Sequence, residues 1–189
     1  MSAAEAHRQY DEGISAFKRQ IADPTLRLKF GREVDIFMRG CALGVWQGDG
    51  GAPTPRHVEY YNAIYSKGSP VPAILYWELA AAVSGYPGFT PPGFFRRMRE
   101  VDRASGSDLS RRFIDLMTLM LLLFAAVDDV VSEAEAAFVN RCADTLVTLC
   151  DRDGIRGGHP PLDVGEFITA RRPAPAGEAA ASPAEGKGE

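Results

Sequence analysis

The stretch FIDLMTLMLLLFAAVDDVVSEAE, residues 113–135, decides the fold of this chain. Its first part, 113–127, is almost wholly apolar, but it contains Asp115 and is shorter than the roughly 20 residues that a membrane-spanning helix needs. We therefore interpret it as a central buried helix. An acidic loop and the start of another helix follow, because Ser132 and Glu135 have the spacing of a capping box.

Helix start signals recur on both sides of this stretch, whereas strand signals are weak. A helix over about 25–47 is expected to be interrupted near Gly31. Its most apolar part, 34–47, should pack against the run 113–127 at the centre of the molecule. The pattern predicts an all-α bundle of about seven helices. Further helices are expected to start at hydroxyl residues, namely Ser2, Thr54, Ser69, Thr90 and Ser132.

Length and composition indicate one folded domain. The chain has 189 residues, of which 46% are hydrophobic and 24% are charged, as in ordinary globular proteins. We expect a helical domain over residues 1–150, with its core at about 30–150, followed by a C-terminal extension over 151–189. The extension is expected to be disordered from about residue 173, because 173–189 has no large apolar side chain to bury.

Charge and cysteine usage exclude some classes of function. The formal net charge of -4 argues against nucleic acid as a main partner, since that binding depends on neutralising phosphates. The N-terminus is polar and has no signal-peptide core. Cys41, Cys142 and Cys150 are scattered on apolar helical positions, which predicts reduced, buried thiols. These features predict a cytoplasmic protein without a membrane span.

The chain also contains a pseudo-repeat. Segments 37–65 and 116–145 each have the order apolar helix, acidic loop, hydroxyl cap and amphipathic helix. This order predicts two pseudo-related helix–loop–helix units. One extra residue in the first loop brings Asp49 onto Asp128. The alignment pairs Thr54 with Ser132, His57 with Glu135, Tyr60 with Phe138 and Asn62 with Asn140.

The second acidic loop resembles the hallmark of the TerB-like family of tellurite-resistance proteins. That hallmark is an apolar helix ending in Ala-Asp-Gly, two variable residues, Ser or Thr, two more residues, and Glu. Asp128, Ser132 and Glu135 match it at the right spacing, whereas Asp129 replaces the glycine. The same helical fold occurs in the N-terminal part of some membrane-associated J-domain co-chaperones. The resemblance covers about residues 30–150.

The first acidic loop departs further from the hallmark. It keeps Asp49 and Gly50, but it has one extra residue, and His57 stands where the family has glutamate. The resemblance implies acidic loops that bind a divalent metal. It also implies a place beside AAA-type ATPases in bacterial stress-response or phage-defence systems.

Two explanations of the acidic residues stay open at the level of sequence. Carboxylates are ligands for Ca²⁺ or Mg²⁺, which makes Asp49, Asp128, Asp129 and Glu135 the candidate metal ligands. Alternatively, Glu135 completes a capping box, and the aspartates complement the positive end of the helix.

The functional expectation is a non-enzymatic adaptor or regulatory module. No catalytic constellation presents itself in the sequence, and the family resemblance points to a protein partner, an AAA-type ATPase among them, and to sensing of a divalent metal. Two alternatives remain: a metal-dependent enzyme that uses the acidic loops, and a structural subunit of a larger assembly.

Overall fold

The computed structural model describes residues 2–48, 50, 53–66 and 72–169. Within them the chain forms seven α-helices and no strand, which confirms the predicted all-α fold. Short 3-10 helices occur at Ala126–Asp128 and Val164–Phe167. The α-helices are α1 (Ala3–Gln20), α2 (Pro24–Gly48), α3 (Pro55–Tyr65), α4 (Tyr76–Ser84), α5 (Gly93–Ser105), α6 (Leu109–Ala125) and α7 (Glu133–Arg152).

The two most apolar helices pack together at the centre, as predicted. Phe113 on α6 is fully buried, and its ring meets that of Phe30 on α2 edge-to-face at a centroid distance of 6.1 Å. Farther along the same pair, the Trp46 indole N–H donates to the backbone carbonyl of Phe124 at 3.3 Å. Burial of these large rings supplies much of the hydrophobic stabilisation of the bundle.

Helix α2 is continuous, so the expected interruption near Gly31 is wrong. Gly31 lies inside the helix. A Cβ added there would have one neighbour within 4 Å, the Lys18 Nζ atom at 3.8 Å. A single glycine weakens a helix by about 1 kcal/mol relative to alanine. Because one face of α2 is buried along its whole length, packing outweighs that cost.

Two helix starts also differ from expectation. Helix α4 begins at Tyr76, well after the predicted start at Ser69, which itself lies outside the described residues. Helix α5 begins at Gly93 rather than at Thr90. A residue that precedes proline is pushed away from helical backbone angles, and here Thr90 and Pro91 both precede one. The helix therefore starts only after the second proline.

Residues beyond 150 contribute to the core. Ile155 and Val164 are buried, and the 3-10 helix at Val164–Phe167 packs on α7. Residues 170–189, which include the predicted disordered segment, lie outside the described residues. The three cysteines are free and buried, as predicted. Among the described helices, none is both long and apolar enough to cross a membrane.

Candidate functional site

Both helix–loop–helix units start their second helix with a capping box. In the second unit, Ser132 Oγ accepts from the Glu135 N–H at 3.2 Å, and the Glu135 carboxylate accepts from the Ser132 N–H at 2.9 Å. In the first unit, Thr54 Oγ1 accepts from the His57 N–H at 3.4 Å, and His57 Nδ1 accepts from the Thr54 N–H at 2.8 Å. The predicted capping box is confirmed, and His57 takes the place of Glu135 in the first unit.

The paired asparagines of the pseudo-repeat also have matching contacts. The Asn62 side-chain oxygen accepts from the Ile74 N–H at 2.8 Å, and the Asn140 side-chain oxygen accepts from the Val164 N–H at 3.0 Å. Ile74 lies just before α4, and Val164 is the first residue of the following 3-10 helix, so each asparagine binds the backbone near the start of the next helical element. The alignment of Asn62 with Asn140 therefore reflects a shared structural role.

Asp129, in the second loop, makes a contact between the two helix–loop–helix units. Its carboxylate lies 2.7 Å from a guanidinium nitrogen of Arg56, at the start of α3, and this hydrogen bond lowers the pKa of Asp129. Its backbone has a φ of 70°, in the left-handed region that favours glycine. Aspartate is among the few residues other than glycine that adopt this conformation readily.

The four predicted metal ligands have different surroundings. Glu135 is buried in its capping box, Asp129 is paired with Arg56, and an Asp128 carboxylate oxygen accepts from the Val130 N–H at 3.3 Å. Asp49 lies outside the described residues. Within the described part of the chain, no group of three or more carboxylate, imidazole or thiol side chains is arranged to hold a metal ion. The metal site stays a prediction.

A thermal melt tests this metal prediction. An ion that binds only the folded state raises the melting temperature by mass action, so Ca²⁺ or Mg²⁺ should raise it relative to EDTA. Asp128→Asn should lose the response, whereas Asp144→Asn, on an exposed face of α7, should keep it. Melting curves that overlay with and without each ion contradict the prediction and leave capping as the role of Glu135.

A groove lies between α2 and α5. Its volume is about 690 Å³. Ile36 stands at its edge with 62% of its surface exposed, which is unusual for an isoleucine. The apolar lining residues are Leu26, Ile36, Phe37, Pro91, Pro92 and Phe94. The charged lining residues are Lys29, Glu33, Arg96, Arg97 and Glu100.

The start of α5 forms one wall of this groove. The helix begins after Pro92 without a side-chain cap, and no acidic residue lies in its first turn. A Cβ added at Gly93 would meet no atom within 4 Å, so the backbone there borders open space. The first N–H groups of a helix carry partial positive charge, which an acidic cap would otherwise offset.

The groove was not predicted from the sequence, although the two consecutive prolines before α5 indicated a late start of that helix. Pro91 and Pro92 move the start of α5 beyond the hydroxyl of Thr90, which then lines the groove instead of capping the helix. The exposure of Ile36 could not be predicted in the same way, because Ile36 is one of several apolar residues in α2 and directly precedes Phe37, which packs against the core.

Leu75, Tyr76 and Trp77 form a second exposed apolar surface, at the start of α4. The Trp77 side chain is 67% exposed. Exposed tryptophan and tyrosine are enriched at protein interfaces.

Comparisons of the chain with protein-family models, with curated proteins and with solved structures find no match. The TerB-like assignment stays a prediction that depends on Asp128, Ser132 and Glu135.

Proposed function

We propose that the protein is a non-enzymatic interaction module that binds a partner protein in the groove between α2 and α5. The groove itself carries the proposal: it is concave, it has an apolar floor, and it leaves Ile36 largely exposed to water. Exposed apolar surface that is rimmed by charged side chains is typical of protein-binding sites.

The finer form of the proposal comes from the TerB-like resemblance. In it the module acts in the cytoplasm, in a bacterial stress-response or phage-defence system, with an AAA-type ATPase as the partner. Metal sensing by the acidic loops belongs to the same finer proposal. The contact between Arg56 and Asp129 supports a coupling between the two helix–loop–helix units, because it joins the start of α3 to the second loop.

Site-specific photo-crosslinking in cells of the native host tests the docking role. A benzophenone amino acid placed at position 36 should give one discrete crosslinked product, because a bound partner covers this side chain. The matched control is position 119, where Leu119 is 47% exposed on α6 and does not line the groove.

The result depends on comparing the crosslinked products at position 36 with those at the control position 119. A discrete product at position 36 that is absent at position 119 supports docking in the groove. No product at position 36, or the same products at both positions, contradicts the proposed function.

A further inference from the structure

The charges that line the groove differ in sign from the net charge of the chain. Three cations, Lys29, Arg96 and Arg97, and two carboxylates, Glu33 and Glu100, line it, so the lining has a net charge of 3 − 2 = +1. The chain as a whole has a net charge of -4. The groove is therefore locally positive on an acidic protein.

Of the two carboxylates that line the groove, Glu100 is paired with arginines of its own helix, whereas Glu33, on α2, makes no ion pair with another described residue. Glu100 lies 3.3 Å from Arg97 and 4.0 Å from Arg96. Asp23, which lies 3.3 Å from Arg97, also accepts from the Leu26 N–H at 2.8 Å and so caps the start of α2. Lys29, in contrast, makes no ion pair with another described residue. Arg96 has 79% of its side chain exposed, which leaves it accessible to a ligand.

The uncapped start of α5 adds positive potential at the same place. Helices α1, α3 and α7 each begin with a hydroxyl side chain that accepts from a first-turn N–H, whereas α5 has no such cap. Pro92 and Gly93, at this helix start, line the groove beside Phe94. The groove thus combines an apolar floor with a positive wall.

We infer that the groove binds an acidic amphipathic segment of the partner, an inference that rests on the proposed docking role. A bulky apolar side chain of that segment covers Ile36 and Phe37. Neighbouring aspartate or glutamate carboxylates face the start of α5 and the cations Arg96 and Lys29. Such a segment complements both the apolar floor and the positive wall of the groove. A purely apolar helix would leave the positive wall without a partner, and a basic segment would be repelled by it.

Fluorescence anisotropy with synthetic peptides tests this inference on the full chain. The probe is a labelled peptide of about 14 residues with leucine and phenylalanine on one helical face and glutamate and aspartate on the other. One comparison peptide replaces the acidic residues with lysine, and another replaces the apolar residues with serine. We expect the acidic amphipathic peptide to bind at least about tenfold more tightly than either, and to weaken as salt is raised.

Matched variants on the same helices locate the binding. Ile36→Ser should weaken binding about tenfold, whereas Leu28→Ser should not, because Leu28 is 83% exposed on α2 but does not line the groove. Arg96→Glu should weaken binding about fivefold, whereas Arg103→Glu, also exposed on α5 but outside the groove, should leave it unchanged. All four positions are exposed, so melting curves should overlay that of the wild type.

Several outcomes overturn the inference. They are equal binding of the acidic and lysine peptides, equal loss for Ile36→Ser and Leu28→Ser, and no binding of any peptide. Displacement of the acidic peptide by duplex DNA or by phosphatidylserine vesicles at comparable concentration also overturns it, since phosphate would then be the recognised group.

The crosslinking experiment separates the two proposals. A partner captured at position 36 through a segment without carboxylates leaves the docking role intact and rejects only the acidic ligand.

Discussion

Gly44→Ala should lower the free energy of unfolding by about 1–3 kcal/mol, because the added methyl group overpacks the contact between α2 and α7. A Cβ at position 44 would lie 2.6 Å from Phe138 Cε2 and 2.8 Å from Phe138 Cε1. Neither ring carbon moves away easily, since Phe138 is 3% exposed and its ring lies within the core. The close approach of these two helices depends on the missing side chain at Gly44.

Gly31→Ala on the same helix provides the matched control and should have the opposite sign. Its new methyl group meets only the Lys18 Nζ atom, at 3.8 Å, so alanine should stabilise the helix by about 0.5–1 kcal/mol. Urea denaturation of both variants gives the two free energies. Phe138→Leu should recover part of the loss in the Gly44→Ala background, because the smaller side chain makes room. Equal effects of the two alanine substitutions contradict the packing argument.

The helix caps show how much of the fold is predictable from sequence. The Ser132–Glu135 spacing is local, and it correctly predicts both the capping box and the start of α7. The pseudo-repeat aligns His57 with Glu135, and in the structure His57 has the same hydrogen-bonding role in a different chemical form, which was not predicted. Local patterns succeed here because a capping box involves only four consecutive residues.

Features that depend on contacts between distant residues were not predictable. The role of Gly44 becomes visible only when α7 lies across α2. The start of α5 is a local feature, and it was wrongly predicted because the hydroxyl of Thr90 was given more weight than the two prolines that follow it. Contacts between distant residues also matter at the candidate site. Sequence alone suggested Asp129 as a metal ligand, whereas the folded chain also pairs it with Arg56, which is far away in sequence.

Asp102→Ala should lower the free energy of unfolding by about 3–5 kcal/mol, the largest effect that we expect for a polar residue. The Asp102 side chain is 1% exposed. One carboxylate oxygen accepts from the Ser107 hydroxyl at 2.5 Å and from the Leu109 N–H at 2.8 Å. The other accepts from the N–H of Ser110 at 2.7 Å and from its hydroxyl at 2.5 Å.

These contacts make Asp102 the cap of α6, although it lies on the preceding helix. Asp108 occupies the cap position in sequence, yet its side chain makes no capping hydrogen bond. Removal of the Asp102 carboxylate leaves the N–H groups of Leu109 and Ser110 and the Ser110 hydroxyl without their acceptor in a buried place, whereas the exposed Ser107 hydroxyl keeps access to water. Asp102→Asn should also be destabilising, because its amide nitrogen donates and would replace an oxygen that accepts two hydrogen bonds.

Asp108→Ala provides the control, since the Asp108 carboxylate is partly exposed and pairs with Arg112 within the same helix at 2.7 Å. Such an exposed pair contributes well under about 1 kcal/mol. Urea denaturation should therefore show a loss for Asp102→Ala several times larger than that for Asp108→Ala. Equal losses would mean that the Asp108–Arg112 pair, rather than the buried carboxylate, holds the start of α6. A large loss of unfolding free energy only for Asp102→Ala would show that the Asp102 side chain stabilises the connection between α5 and α6.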